Sequence, residues 1–388
     1  MIKSDTVPFR IDSIDALRGF AVVSIILLHN IEHFDFYFFP EELPEWLKHI
    51  DKGIWNTFFF LFGGKSYAIF SLLFGFSFYI QFSNQEKIGV DFRLRFLWRL
   101  LILFFFGFIN ALFYEGDILS FFAVFGLPLL IVCRWSNRAV LITAIILMLQ
   151  PLTWLQFILA LNHPQLPVPE NASHAHFMKL SSYLGGDSFI ELVKGNLLNG
   201  RIGVTHWTWE NGRFFLSTAL FMFGMLAGRT ELFIASEKSN LFWKKALIIS
   251  SILFIPLFYT SKSLSDWVLQ KNLLPPLNLF CSSLSNTAFM VILVSSFLLL
   301  YQKNKVQKGL QFLIPIGKMS LSNYIIQSML GSFIYYGYGM ALYQYTGATY
   351  SLCIGITMIS IQILFSYWWM KHHNQGPLEY LWHRATWL

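Results

Sequence analysis

Long apolar blocks alternate with shorter polar segments along the whole chain. Many of the blocks are about 17–25 residues long, the length that an α-helix needs to cross the ~30 Å hydrocarbon core of a bilayer. A segment such as LILFFFGFINALF is apolar on every face, whereas a transmembrane β-strand alternates apolar and polar positions. The pattern therefore predicts an all-α, polytopic transmembrane helix bundle, formed as a single membrane domain over residues 1–388.

About ten of these blocks are predicted to span the membrane. The predicted spans cover residues 13–31, 67–82, 96–114, 118–133, 139–161, 214–228, 246–259 and 277–301, a ninth that begins near residue 320, and 350–370. The short apolar piece IWNTFFFLF, which precedes the second span, is interpreted as re-entrant or interfacial.

Two of the segments between spans are long. Residues 32–53 form a first outer loop that is acidic and aromatic, and residues 162–212 form a second outer loop. Within the second loop, Phe189, Leu192, Val193 and Leu197 recur at helical spacing. This spacing predicts an amphipathic helix that lies on the outer face of the membrane.

Composition and charge agree with a membrane protein. The chain is 55% hydrophobic and only 13% charged, whereas soluble domains carry about 25% charged residues. The formal charge of +7 comes mainly from Lys and Arg in the segments assigned to the inner side. Because cytoplasmic loops of membrane proteins are enriched in these residues, both termini are predicted to be cytoplasmic, in a bacterial-type plasma (inner) membrane. Nucleic acid is not an expected partner.

The first span begins with ionisable residues. Asp15 and Arg18 are three residues apart, so they share a helix face and can pair. Charges inside lipid are costly and usually functional. The alternative is structural: Asp12 or Ser13 would cap the start of the helix, and the Asp15–Arg18 pair would only hold the helix in place.

The outer end of the same span carries His29, Asn30, Glu32 and His33. A general base needs a histidine with an acidic or amide group beside it, and either histidine meets that requirement. If the helix continues, His29 and His33 face the same way and could bind a metal. No HExxH motif is present, and no metal is predicted. A third hypothesis is an interfacial histidine without a function.

Further polar residues cluster near the ends of the predicted spans. An arginine cluster after the second span is a candidate phosphate site or an orientation signal, and the other residues are candidates for lining a cavity or joining helices. These residues are Arg93, Arg95 and Arg99 in the cluster, and Lys65, Ser66, Glu115, Asp117, Arg213, Asn323, Tyr324 and Gln327 elsewhere.

Several segments carry a resemblance to a known family. RIDSIDALRGFAVVSIILLHNI, GGKSYAIFSLLFGFSF and EGDILSFFAVFGL, with GKMSLSNYIIQSML and GPLEYLWHRATWL in the C-terminal region 310–388, resemble the YeiB-like membrane family DUF418. The opening helix also resembles that of a wider set of transmembrane acyltransferases, which includes the heparan-glucosaminide N-acetyltransferases. In that set an acyl donor such as acetyl-CoA binds from the cytoplasm, and a sugar-like acceptor is met at the outer face.

The resemblance implies an acyltransferase whose base is His33 or His29, with Asn30 at the end of the helix. Acyl-CoA would then meet the arginine cluster or Arg18, with Lys65 and Ser66 as further donor-side candidates. The acceptor-side candidates are Glu115, Asp117, Arg213, Asn323, Tyr324 and Gln327. The expected partners are the bilayer, a small acceptor such as a glycan and, in a homodimer, a second copy of the chain.

The alternative hypothesis is a small-molecule transporter or channel without covalent chemistry. Transporters often carry internal repeats, and no repeat is evident between the halves of this chain. A non-catalytic membrane scaffold or sensor is a further alternative.

Overall fold

The computed structural model describes residues 11–165, 167–168 and 170–387. Every regular element in these residues is helical, which confirms the predicted all-α class. The first ten α-helices are α1 (Asp12–Ile31), α2 (Glu45–Phe62), α3 (Ser66–Glu86), α4 (Arg93–Ala111), α5 (Leu119–Phe125), α6 (Leu127–Val132), α7 (Asn137–Met148), α8 (Pro151–Asn162), α9 (Ala172–Phe177) and α10 (Ser181–Leu184).

The second half of the chain continues the helical pattern. Its α-helices are α11 (Phe189–Gly195), α12 (Arg201–Glu210), α13 (Arg213–Arg229), α14 (Glu237–Trp267), α15 (Leu274–Tyr301), α16 (Asn304–Leu310), α17 (Leu313–Lys318), α18 (Ser320–Tyr335), α19 (Ala348–His372) and α20 (Pro377–Trp387). A π-helical stretch, Asn196–Gly200, joins α11 to α12, and 3-10 turns occupy Lys271–Leu273 and Leu342–Gln344.

Six helical segments of the described chain are long and apolar enough to cross a membrane. They are Asp12–Ile31, Glu45–Glu86, Arg93–Ala111, Glu237–Trp267, Lys271–Tyr301 and Ala348–His372. A seventh is added if α7 and α8, which meet at a bend of 43°, form one broken span. The helices in the remaining predicted spans are shorter, so the count of ten and the cytoplasmic position of both termini stay predictions.

Two elements differ from the pattern expected from sequence. The predicted first outer loop extended to residue 53, but α2 already begins at Glu45. The predicted fifth span is interrupted because Gln150 has a φ of 57° and Pro151 starts a new helix. Proline has no backbone N–H to continue the preceding helix, so the chain bends at this point.

Helix α1 lies at the centre of the bundle. In its spanning window 72% of the residues are buried inside the protein, against 11% for α14. A helix that protein surrounds can carry polar groups that lipid would penalise. The central position of α1 therefore allows charged and polar side chains at both of its ends.

Glycines bring two pairs of helices into backbone contact. A side chain on Gly75 of α3 would collide with the carbonyl of Phe221 in α13, and one on Gly224 would collide with the carbonyl of Leu72. Small residues at helix interfaces allow such close approach in membrane proteins. Helices α1 and α17 meet in the same way, since Gly317 lies against the carbonyl of Asp15.

Candidate functional site

A left-handed turn follows α1 and separates its two histidines. The helix ends at Ile31, and His33, Phe34, Asp35 and Tyr37 have φ values of 53°, 54°, 65° and 50°. Residues other than glycine seldom adopt this conformation, and such strain is frequent at functional sites. Because the helix does not continue, the shared face expected for His29 and His33 is not formed.

His29 points into a group that we call the polar cluster: His29, Glu32, Asp35, Tyr37 and Tyr114. The Nδ1 atom of His29 lies 3.2 Å from Glu32 Oε2 and 3.2 Å from the Tyr114 hydroxyl. Tyr114 donates to Asp35 Oδ2 at 2.7 Å, and Tyr37 donates to Glu32 Oε1 at 3.2 Å. The turn thus folds Asp35 back over the end of α1.

The polar cluster contains two carboxyl groups, those of Glu32 and Asp35. Burial raises the pKa of Glu32, and the neighbouring Asp35 raises it further. In the described part of the chain, neither carboxylate is paired with a lysine or an arginine. Ligand atoms of His29, Glu32 and Asp35 all lie within 4.8 Å of one another, a spacing that could also hold a metal ion.

His33 lies in a different environment. Its Nδ1 atom is 2.8 Å from the carbonyl of Phe38, its Nε2 atom is 2.8 Å from Ser351 Oγ, and its ring stacks on Tyr335. Burial lowers its pKa to about 4, so the imidazole is neutral at physiological pH. Both nitrogens are then satisfied: Nδ1–H donates to the carbonyl, and Nε2 accepts from the serine hydroxyl.

Asn30 also has a structural role. Its amide nitrogen donates to the carbonyl of Ile26 at 2.8 Å, and its oxygen accepts from the Tyr335 hydroxyl at 3.0 Å. The same tyrosine therefore contacts both Asn30 and His33. This arrangement ties the end of α1 to α18.

Glu115 and Asp117 lie in the connection between α4 and α5, and both are buried. The Asp117 carboxylate accepts from the backbone and hydroxyl of Ser120 and from Asn110, and Arg201 donates to its main-chain carbonyl at 2.9 Å. Neither carboxyl oxygen of Glu115 has a hydrogen-bond partner in the described structure. Burial raises the pKa of Glu115 to about 8, so this side chain is mostly uncharged at pH 7.

A cavity of about 490 Å³ lies within the bundle. Arg18, Arg99 and Lys318 line one part of it, and Arg18 donates to Ser77 of α3 at 3.0 Å. From Ser77 towards the start of α3, the lining becomes apolar. We call six of these apolar side chains the aromatic wall: Phe70, Leu73, Phe74, Phe96, Leu103 and Phe122.

Tyr324 and Ile118 also line the cavity, and Ile118 belongs to the segment that joins α4 to α5. The Tyr324 hydroxyl accepts from the backbone N–H of Ile118 at 3.2 Å. Ile118 directly follows Asp117, and Tyr114 of the same connection contacts His29. A short protein layer thus separates the cavity from the polar cluster.

The three arginines of the predicted cluster do not form one site. Arg93 makes an exposed ion pair with Asp91 at 2.7 Å. Arg95 lies over the Trp387 ring, and Arg99 lies over the Trp382 ring at 4.2 Å. Of the three, only Arg99 lines the cavity.

The other predicted residues are dispersed. Lys65 lies 5.6 Å from the centre of the Phe289 ring, and Arg213 lies between the rings of Tyr67 and Trp207. Asn323 donates to Ser366 at 3.0 Å. Ser66 and Gln327 are buried, and the Gln327 amide has no hydrogen-bond partner in the described residues.

Sequence reasoning did not select three residues that the structure places at these sites: Tyr114, Arg201 and Trp382. Tyr114 directly precedes the candidate Glu115, which was the available signal. Arg201 lies in the second outer loop, and nothing in its local sequence connects it to Asp117. Trp382 belongs to α20, whose packing on α4 is a long-range contact.

Comparisons with known proteins identify relatives but give no activity. The chain is 26% identical to the uncharacterized protein YxaH of Bacillus subtilis, over 98% of the chain and 94% of that relative. It is also 26% identical to an uncharacterized 39.9 kDa protein of Bacillus acidopullulyticus, over 97% and 94%. A third relative, uncharacterized protein YeiB of Escherichia coli, is 32% identical over only 18% of each chain.

No solved structure matches the chain significantly. Residues 227–388 match the model of the family described as protein of unknown function DUF418. This match includes the C-terminal region 310–388 in which the sequence motifs resembled that family. Over residues 227–388 the chain is therefore similar to the DUF418 family.

Proposed function

We propose that this protein is a membrane acyltransferase. It would move an acyl group from a cytoplasmic acyl-CoA to a small acceptor, such as a sugar, at the outer face of a bacterial-type inner membrane. The proposal includes the predicted ten-span topology with both termini in the cytoplasm. It rests mainly on one observation, the pairing of His29 with Glu32 beside a partly exposed surface.

The geometry of His29 suits a general base. Glu32 lies next to Nδ1, and a carboxylate at that position favours the tautomer with the proton on Nδ1. The Nε2 atom of His29 has no hydrogen-bond partner in the described structure, so its lone pair is available to an acceptor hydroxyl or amine. His33 lacks such a free nitrogen, and we therefore assign the base to His29.

The reaction would proceed by a simple acyl transfer. The acceptor oxygen or nitrogen attacks the thioester carbonyl while Nε2 of His29 takes its proton. The carbon–sulfur bond then breaks, the acyl group stays on the acceptor, and the proton passes from His29 to the CoA thiolate. Glu32 stabilises the imidazolium that forms between these steps.

The donor would bind at the basic part of the cavity, and its acyl group would reach His29 once the connection between α4 and α5 moves aside. Arg18, Arg99 and Lys318 provide cations there, and arginine is well suited to phosphate because its planar fork donates two hydrogen bonds. Asp15 lies 3.0 Å from Arg18 and fixes the direction of that guanidinium.

Turnover of radiolabelled acetyl-CoA by the purified protein in nanodiscs tests the proposal. His29→Gln should lower the rate at least about a hundredfold, because a positioned base contributes roughly 10²–10⁴-fold. The control is His33→Gln, which should keep its rate per folded molecule. Equal rates for wild type and His29→Gln would show that His29 is not the general base. No turnover with short or long acyl-CoA would favour transport without covalent chemistry.

A further inference from the structure

Arg99 is a buried cation without a counter-charge. Its side chain is only 9% exposed, yet the described structure contains no ion pair to it. One nitrogen donates to Thr386 Oγ1 at 3.3 Å, and the Nε atom has no partner. The Trp382 ring, 4.2 Å from the guanidinium, offsets only part of the cost of burying a charged group, so the site favours an anion beside Arg99.

The nearby acidic groups are already engaged. Asp15 pairs with Arg18. The Glu379 carboxylate accepts from the backbone N–H groups of Leu321 and Ser322 at 2.7 and 3.1 Å, at the start of α18. Since these two acids line or border the cavity and neither neutralises Arg99, the counter-ion is expected to come from a ligand.

The aromatic wall of the cavity selects against polar ligands. The aromatic wall offers no hydrogen-bonding group, and a buried amide or hydroxyl without a partner costs several kcal/mol. Gln81 and Tyr67, which both line the cavity, are fourteen residues apart on the path of α3. At 1.5 Å per residue this corresponds to about 21 Å, enough for an extended hydrocarbon chain.

We propose that the cavity binds a single-chain anionic amphiphile. Its anionic group contacts Arg99, and its hydrocarbon chain lies along the aromatic wall. Two sources carry an anionic group and a single hydrocarbon chain. One is a free fatty acid, whose carboxylate reaches Arg99 directly. The other is a long-chain acyl-CoA, whose phosphates and pantetheine arm would stay at the polar end of the cavity, near Arg18, Ser77 and Gln81. The inference rests on the proposed function only in the second case, where the ligand would be the acyl donor; a bound fatty acid requires no acyl transfer.

A photoreactive palmitic acid tests the site directly. The protein is placed in nanodiscs of zwitterionic lipid and labelled through a diazirine near the end of the chain, and the labelled peptides are mapped by mass spectrometry. Saturable labelling of α3 and α4 near Phe74 and Leu103 is expected. Competing fatty acids should bind more tightly by roughly fourfold for each added methylene until the cavity is filled.

The anion requirement is tested with two matched variants on α4. Arg99→Gln should weaken labelling about tenfold or more, because a charge-assisted hydrogen bond is lost. Arg93→Gln removes an arginine of the same helix that lies outside the cavity, and it should leave labelling unchanged. Labelling that is spread over lipid-facing α14 and insensitive to Arg99→Gln would overturn the proposal.

A third variant tests the chain-binding part without touching the charge. Leu103→Trp adds volume to the aromatic wall and should shift the preferred competitor to shorter chains. Unchanged preference in this variant would contradict the placement of the chain.

Competition also identifies the source and separates the two proposals. Stronger competition by palmitoyl-CoA than by palmitate would identify the thioester, and the reverse would identify the free acid. If acetyl-CoA is turned over through His29 but chain length has no effect on binding, the amphiphile site is wrong and the acyltransferase stands. If binding depends on chain length but no acyl-CoA is turned over, the amphiphile site stands and the acyltransferase proposal is wrong.

Discussion

Two histidines four residues apart have opposite surroundings. His29 remains in α1, is partly exposed, and meets carboxylate and phenol groups. His33 is fully buried and meets a carbonyl, two hydroxyls and a tyrosine ring. The first environment stabilises a positive charge on the imidazole, while the second excludes one.

The difference originates in the backbone. Helical residues four apart normally share a face, but the left-handed turn directs His33 towards α19, while His29 stays on α1 beside Glu32 and Tyr114. The contrast shows that two candidate residues with equivalent sequence patterns can be separated by the conformation of the residues that follow the helix. One histidine is then suited to chemistry, and the other to packing.

The largest expected effect is on stability at His33. His33→Ala would leave a cavity and deprive the Ser351 hydroxyl of its acceptor, whereas the Thr346 hydroxyl would keep its bond to the carbonyl of Leu342. Together these losses should lower the free energy of unfolding by about 3 kcal/mol. Thermal unfolding in detergent measures the change. His49→Ala on exposed α2 is the control, and an equally small shift in both variants would show that His33 contributes little.

A second effect concerns Glu32. Glu32→Gln should keep the fold but lower the proposed acyl-transfer rate about 10–100-fold, because a neutral amide supports the imidazolium less well than a carboxylate. Steady-state kinetics should place the loss in kcat rather than in KM. Glu45→Gln, an exposed acid paired with Lys48, serves as the control. A loss confined to KM would instead indicate a binding role.

The smallest effect is the response of stability to acid. The pKa of His33 falls from 6.5 in an open chain to about 4 in the folded protein. Between these values the unfolded state binds more protons, so stability decreases as the pH falls. The loss between pH 6.5 and 5 should be about 1–2 kcal/mol. His33→Gln should flatten this part of the pH profile, and an unchanged slope would mean that other groups cause it.

Much of the fold follows from the sequence. Long apolar blocks predicted helices, and α1, α4 and α19 lie close to where the blocks placed them. The break between α7 and α8 was not predicted, because periodicity does not report the left-handed Gln150. Helix α2 was likewise only partly recognised, since the N-terminal half of the helix, EWLKHIDKG, is rich in charged residues and resembles a loop in sequence.

Less of the candidate site than of the fold could be predicted from the sequence. Composition at the outer end of α1 indicated the right neighbourhood, but not which histidine meets Glu32. The partners of His33 and Asp117 lie far away in the chain, at Ser351 and Arg201. Such contacts depend on how helices are arranged around α1, and no local pattern encodes that arrangement. The sequence also does not show that Arg99 is buried and Arg93 exposed, because the burial of Arg99 depends on the packing of α20 against α4.

The glycine contacts between helices also limit how the protein can move. Since α3 and α13 touch through Gly75 and Gly224, and α1 and α17 through Gly317, sliding within either pair would bring backbone atoms into collision. Each pair of helices should therefore move as one rigid body. A working cycle must place its hinges outside these pairs. A rocking motion like that of many transporters would have to carry the part of the aromatic wall that lies on α3, namely Phe70, Leu73 and Phe74, together with α13.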